Sequence, residues 1–486
     1  MRAENLSETL HNVSVTNLSV SGWEFGLGGV TGGVENGMLQ QVRATGNQDG
    51  IGIDQSPGLI VQNCTVTDNI PLEEGGVFFG GSGIDVSNSP GTHILNSTVS
   101  HNGWGGEELP AVGGYGILST NNTGLLVSNC VVDGNVNTGI WNEYAKDTQV
   151  LGNQFHTNGG NGGIFMTAPP TDDPVMNAVI AENTISGSGW GHMLIRNDYL
   201  VQNNTVSECG FGILLDTSRN ATLIGNVMHD NELNFGVDGN AYENYLHQVD
   251  TSNTVNGRVV SYLVDQPGAV VDAATGGAGT IYGISCPDLI IRDLDLANNL
   301  FGVFLLASDR AVITNVTATQ NVNGFLIQES DDVRIEASVA NDNTNTGFSL
   351  VASDDLWMTG AEAARNIGGG MDEGTGIYAE NCWNISLQQV NASDNNFAGI
   401  DVEDSARVSL VDVTADANLV GLILGGGDTI QVTGCVIRDS VGPGIGMYDS
   451  TNATFWNNYF LNEENVDLSQ GGSSPDLPGT YQRHPA

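Results

Sequence analysis

A glycine followed by an aliphatic residue returns about every two dozen positions along this chain. It falls at Gly26, Gly52, Gly83, Gly116, Gly139, Gly163, Gly191, Gly212, Gly236, Gly257, Gly283, Gly302, Gly324, Gly347, Gly376, Gly399, Gly421 and Gly444. Such a beat constrains the fold strongly, because a unit that short cannot bury a core alone and must stack on its neighbours. Typical units are "FGILLDTSRNATLIGNVMHDN" and "FAGIDVEDSARVSLVDVTADAN". They carry Ile, Val, Leu and Thr at period two between Gly, Asn, Asp and Ser, which are strand and turn signals with no helical periodicity.

A second column fixes the register. An apolar residue followed three positions later by Asn recurs at Asn47, Asn69, Asn102, Asn135, Asn158, Asn231, Asn299, Asn321, Asn343, Asn366, Asn395 and Asn418. Asn tolerates a left-handed turn, and its amide can bond the same amide one rung on, which makes a ladder. A leucine-rich repeat would need Leu at fixed offsets and a helical arm, and a propeller needs longer blades. The expected fold is therefore all-β: a single right-handed parallel β-helix of about eighteen coils with an Asn ladder. It should span 1–466, with an irregular tail over 467–486.

Two slots after the column glycine are polar, His192 and Arg258. For His192 the expected register instead places Gly189 in the column and Trp190 in the apolar slot. Arg258 is open between a polar residue in the slot and a turn pushed outward around Asn256-Gly257, a favoured two-residue turn. Cys64, Cys130 and Cys435 share one inward column. Cys64 and Cys130 lie two rungs apart, about 9.6 Å, too far for a bridge. They are expected to be buried free thiols.

The net charge of −43, with 56 acidic against 13 basic residues, argues against binding nucleic acid or an anionic membrane. It suits a salt-rich habitat, and the melting temperature should climb from millimolar to molar salt as self-repulsion is screened. A flat profile would remove that interpretation. No run of 18 apolar residues is present, so no membrane insertion is expected. The start, "MRAENLSETLHNVSV", lacks the apolar core of a signal peptide and enters the repeat at once. The chain thus reads as a mature form or a fragment of a longer polypeptide. Sequons beginning with Asn5, Asn12 and Asn17 suit an exterior protein.

Over "DTSNTVNGRVVSYLVDQPGAVVDAATGGAGTIYGISCPDLIIRDLDLANNLFGVFLL" and the later "ITNVTATQNVNGFLI" and "NATFWNNYFLNEENVDL", the sequence resembles the NosD-like β-helix proteins. Their repeats are also described as carbohydrate-binding and sugar-hydrolysis modules of archaeal surface proteins. The resemblance implies an extracellular or cell-surface β-helix with a glycan partner. Copper enters only through the family name.

Enzyme signatures of the fold are incomplete. An R-x-K is impossible with Lys146 the one lysine, "GWGHML" lacks its second glycine, and the "SDD" turns at Asp331-Asp332 and Asp354-Asp355 read as solvated acid. His156 and His229 lie about three coils apart, roughly 14 Å, too far to share an ion. Long coils are more informative. "IPLEEGGVFFGGS" and "GWGGEELPAVGGY" occupy the same turn on consecutive rungs, and "IGGGMDEGT" carries Asp372 and Glu373. Stacking brings Glu73 and Glu74 beside Glu107 and Glu108, where Ca²⁺ would suit the carboxylates. Phe78, Phe79, Trp104 and Tyr115 would offer a sugar-stacking platform. The expected role is a glycan-binding or structural surface module. The alternatives are a polysaccharide hydrolase or lyase using Glu74 and Glu107, and a copper accessory protein.

Overall fold

The computed structural model describes residues 10–23, 25–27, 33–74, 77–103, 113–143, 146–167, 177–196, 198–368, 374–468 and 481–482. The chain divides into two compact units, Met1–Gly257 and Arg258–Ala486. Each is a three-sided solenoid of parallel strands. In the first unit, a nine-stranded sheet runs from Phe25–Leu27 through Asp49–Asp54, Ile84–Ser87, Ile117–Thr120, Ile140–Glu143, Ile164–Thr167, Trp190–Ile195 and Phe211–Asp216 to Leu233–Asp238. We call it the first sheet. A ten-stranded second sheet runs from Ser14–Thr16 to Gln248–Val249, and a third from Ser19–Val20 to Thr254–Val255.

The second unit repeats the plan. One sheet runs from Arg258–Val264 to Glu464–Asp467, and a nine-stranded one from Val270–Asp272 to Thr454–Trp456. On its third side, single bridges join Thr317, Val339, Glu362, Asn391 and Thr414. Among the described residues the helical elements are two short 3₁₀ turns, Tyr242–Tyr245 and Ala273–Thr275.

The corners explain the sequence. Each corner residue adopts the left-handed conformation, as Asn63 (φ 54°), Asp68 (φ 56°) and Asn88 (φ 46°) do, and the next residue points inward. There the backbone N–H has no strand partner, and leaving it buried and unpaired is costly. The inward side chain of the following rung supplies the acceptor. Asn69 N–H donates to Asn102 Oδ1 at 3.3 Å, Asn102 to Asn135 at 3.1 Å and Asn135 to Asn158 at 3.2 Å. In the second unit Asn299, Asn321, Asn343, Asn366, Asn395 and Asn418 continue the pattern at 2.8–3.1 Å. All twelve Asn expected in this column are buried.

A second corner of each unit also carries a ladder, of mixed composition. Cys64, Ser97, Cys130, Asn153, Asn183, Asn204, Asn226 and Asn253 line a second corner of the first unit. Cys286, Ser308, Ser330 and Ser353, with Cys382 and Ser405, line one in the second unit. All six cysteines are buried free thiols. Cys130 and Cys435 are pushed up to about 11 by burial, so they are packing residues rather than nucleophiles.

Strand register corrects four glycines and one histidine. The column takes Gly50, not Gly52, because Gly52 pairs with outward-facing Asp85. Asn234, Val260 and Thr280 stand in it where Gly236, Gly257 and Gly283 were expected. The glycines that do stack need to be glycine: a Cβ at Gly116 would lie 2.6 Å from the Gly139 carbonyl oxygen. Gly191 is in the column, so the expected shift to Gly189-Trp190 is wrong. His192 pairs with Ile164 and Ile213 and lies fully buried in the core. Trp190 instead stacks on Phe211 at 5.2 Å, which holds this register. Asn256 (φ 49°) and Gly257 (φ 77°) form the outward turn. Arg258 is exposed, and its guanidinium donates to the Asp295 carbonyl.

Candidate functional site

The inward column on the first sheet of the first unit is Ile51, Ile84, Ile117, Ile140, Ile164, His192, Ile213 and Phe235. Strand side chains alternate, so the next residue of each rung faces outward. That outward lane reads Gly52, Asp85, Leu118, Trp141, Phe165, Met193, Leu214, Gly236. Two residues on, a polar lane reads Asp54, Ser87, Thr120, Glu143, Thr167, Ile195, Asp216, Asp238. An apolar, aromatic stripe with a hydroxyl and carboxylate margin is thus built into rigid sheet.

The stripe has internal geometry. The Trp141 and Phe165 rings stack with centroids 4.0 Å apart and planes 20° from parallel. Tyr115 meets Trp141 edge-on at 5.5 Å. Phe165 is buried, while Trp141 and Tyr115 are half-buried. Burial pushes the Tyr115 phenol up; a hydrogen bond with the Asn137 side chain opposes this and the Glu143 carboxylate adds to it.

Beside the stripe sits Asp85. Its carboxyl is pushed up to about 6, first by desolvation, then by the Asp49 and Asp54 carboxylates, against a hydrogen bond from Ser87. Ser87 Oγ lies 3.2 Å from Asp85 Oδ1 and 3.0 Å from Thr120 Oγ1. Asp49 Oδ1 accepts the Ser82 N–H at 3.0 Å, and Asp54 accepts from Asn88 Nδ2 at 3.2 Å. Gly80 (φ 81°) passes so close that a Cβ there would lie 2.8 Å from the Asp49 carboxylate oxygens. The loop backbone therefore rests on this acidic group.

The expected loop residues meet this site in part. Glu73, Glu74, Phe78 and Phe79 lie on two antiparallel strands, Leu72–Glu74 and Val77–Phe79, with Glu73 opposite Phe78. This hairpin enters just before Gly80. Trp104, Glu107 and Glu108 lie outside the described residues, as do Asp372 and Glu373. Tyr115 is placed in the site itself. Asp85, Trp141, Phe165, Asp49, Asp54 and Glu143 were missed. Their signal was available: Asp85, Trp141 and Phe165 are each the second residue after a column glycine.

The same slot carries aromatic and acidic side chains in the second unit. Tyr378 and Asp401 follow Gly376 and Gly399 by two positions and face each other across the rungs, with Glu380 paired to Glu403. Burial first, then Glu380, raises the Tyr378 phenol. The Tyr448 hydroxyl donates to Glu403, its ring lying over Gly425. The "SDD" turns have a structural role: Asp309 and Asp331 accept the N–H groups of Asp331 and Asp354 at 3.0 and 2.8 Å.

The fold and face define a parallel β-helix with an outward aromatic and carboxylate stripe. The chain belongs to the right-handed β-helix family and contains a NosD-like segment. The family described as "Right handed beta helix region" matches residues 7–155 and 365–473, and "Periplasmic copper-binding protein (NosD)" matches 260–396. No curated protein gives a significant match. Among solved structures, the A-module of the Azotobacter vinelandii mannuronan C-5 epimerase AlgE4 is 12% identical, covering 87% of this chain and 91% of its own, with a TM-score of 0.33. The catalytic unit of a thermostable GH87 α-1,3-glucanase from Streptomyces thermodiastaticus strain HF3-3 is 11% identical, covering 97% and 64%, with a TM-score of 0.29. Pectate lyase Pel9A is 11% identical, covering 68% and 70%, with a TM-score of 0.26.

The described residues do not fit a copper centre. The matched segment 260–396 contains no histidine, and its Cys286 and Cys382 are buried. His156 and His229 share a column with Ser186 and Ser207 between them. Among the described residues no group of three His, Cys, Asp or Glu side chains is placed to hold an ion, and no helix is long and apolar enough to cross a membrane.

Proposed function

We propose that this protein is an extracytoplasmic glycan-binding β-helix whose sugar-binding surface is the outer face of the first sheet. The observation that carries this reading is the Tyr115–Trp141–Phe165 ring series, with Trp141 and Phe165 on rigid strands and Tyr115 just before one, between hydroxyl and carboxylate side chains. Pyranose rings offer apolar C–H faces to aromatic rings and hydroxyls to polar neighbours, which is the combination small-ligand sites supply. The hairpin strands carrying Glu73, Glu74, Phe78 and Phe79 lead directly into Gly80 beside Asp49 and extend the surface. Ca²⁺ bridging its carboxylates would pin the insert over the sheet.

A second reading, glycoside cleavage, is favoured by one observation. Asp85 is raised to about 6, and a carboxyl that keeps its proton closer to neutral pH can serve as a general acid. A glycan array followed by product analysis separates the two. Binding without new reducing or unsaturated ends is the result expected, and Glu74→Gln with Glu107→Gln should weaken it. New ends that vanish in Asp85→Asn would establish the second reading. No glycan bound would refute both.

A further inference from the structure

The glycan reading leaves the ligand's charge open, and the residues around Asp85 speak to it. We propose that this face selects polymers of amino sugars, pairing a ligand ammonium group with Asp85, over polymers of uronic acids. The proposal rests on the glycan-binding reading and narrows it.

The two outward lanes hold Asp54, Asp85, Glu143, Asp216 and Asp238 and no Lys or Arg. Arg196 acts on Asp216, five rungs from Asp85, and Lys146 is exposed at the corner beyond Glu143. A uronate laid along the stripe would bring its carboxylate against Asp85 and Glu143 without a fixed cation between them. Like charges held that close disfavour each other unless a cation joins them or one is protonated. Asp49 and Asp54 already repel charge on Asp85 in this way, each accepting a hydrogen bond, from Ser82 N–H and Asn88 Nδ2. An ammonium group donates up to three hydrogen bonds and would relieve that repulsion directly.

The spacing suits one polymer making both contacts. Asp85 and Trp141 are two rungs apart along one lane, with Leu118 between them, about 9–10 Å. A sugar stacked on Trp141 thus leaves a neighbouring residue of the same chain over Leu118 and Asp85. The apolar Leu118 asks for a C–H face, and Asp85 for a cation.

The test uses the full chain and three soluble oligosaccharides of equal length: deacetylated chitin, fully acetylated chitin and oligomannuronate. At about 0.5 M salt the Debye length falls to a few ångströms, so general attraction to the acidic surface is screened. The deacetylated oligomer should bind at least about tenfold tighter than the acetylated one, which is about 1.4 kcal/mol, and oligomannuronate should be weakest. Asp85→Asn should abolish the preference while sparing acetylated chitin. Asp54→Asn should reduce it, which keeps the test usable if the first variant fails to fold. Asp265→Asn, exposed in the second unit, should change nothing. Equal or tighter oligomannuronate binding, or a preference surviving Asp85→Asn, overturns the proposal. If acetylated chitin binds through Trp141 and deacetylation adds nothing, the proposal fails and the glycan reading stands. If no oligomer binds, both fail.

Discussion

His192→Ile should stabilise the protein and flatten its loss of stability in acid. Both ring nitrogens of His192 are buried without a hydrogen-bond partner among the described residues, in a column otherwise made of Ile and Phe. A buried polar group left unsatisfied costs about 1–3 kcal/mol, and Ile matches the neighbours Ile164 and Ile213. At neutral pH the variant should therefore gain about 1–3 kcal/mol. Burial also lowers the folded-state pKa of His192 to about 3, from 6.5. The unfolded chain takes up this proton below pH 6.5 while the native state refuses it until about 3. The stability is fully present above 6.5 and is lost as pH falls towards 3. By pH 4 the loss amounts to about 3 kcal/mol. His247, lowered to about 4 by burial, contributes equally to both proteins and cancels in the comparison. Unfolding midpoints at pH 7 and pH 4 decide the matter. An unchanged pH slope, or a less stable variant, would mean His192 has a partner or reaches water.

Asn102→Ala should cost about 3 kcal/mol, because it strands several buried groups at once. Asn102 Oδ1 accepts from the Asn69 backbone N–H at 3.3 Å and from Asn69 Nδ2 at 2.8 Å. Its Nδ2 donates to the Val66 carbonyl at 3.3 Å and to Asn135 Oδ1 at 2.8 Å. The Asn69 N–H then has no acceptor in a dry corner. Denaturant unfolding against the parent chain measures the effect. A loss below about 1 kcal/mol, typical of an exposed polar residue, would remove the ladder as a stabilising device.

These two residues mark how far the sequence could be read. The Asn102 column was legible because one residue type repeats three positions after an apolar one. The other ladders mix Ser and Asn, either of which can accept the same N–H, with Cys residues whose thiols bond backbone carbonyls instead. Nothing in composition separates Ser97 from an ordinary turn serine. The glycine beat misled at Gly52, Gly236 and Gly283, because an aliphatic residue also follows glycines outside the column, and at Gly257, which belongs to the outward turn before Arg258. Asn234, Val260 and Thr280 hold the column without being glycine. His192 was moved out of the core on the rule that polar residues are not buried unpaired, and here strand pairing overrides that rule. For the candidate site, coil length drew attention to the insert before Gly80 and to Tyr115, which lies against Trp141. Asp85 and Trp141 needed the inward register first, since only then does the residue after each core Ile become a surface position.

The central claim, a sugar-binding face around Trp141, is tested most directly by titrating the glycan selected on the array into the parent chain, Trp141→Ala and Trp383→Ala. Trp383 is an exposed ring in the second unit, beneath Arg407. Loss of stacking should weaken binding to Trp141→Ala by about tenfold or more, equivalent to about 1.4 kcal/mol, with circular dichroism unchanged and Trp383→Ala binding like the parent. Unaltered affinity in a folded Trp141→Ala would contradict the account.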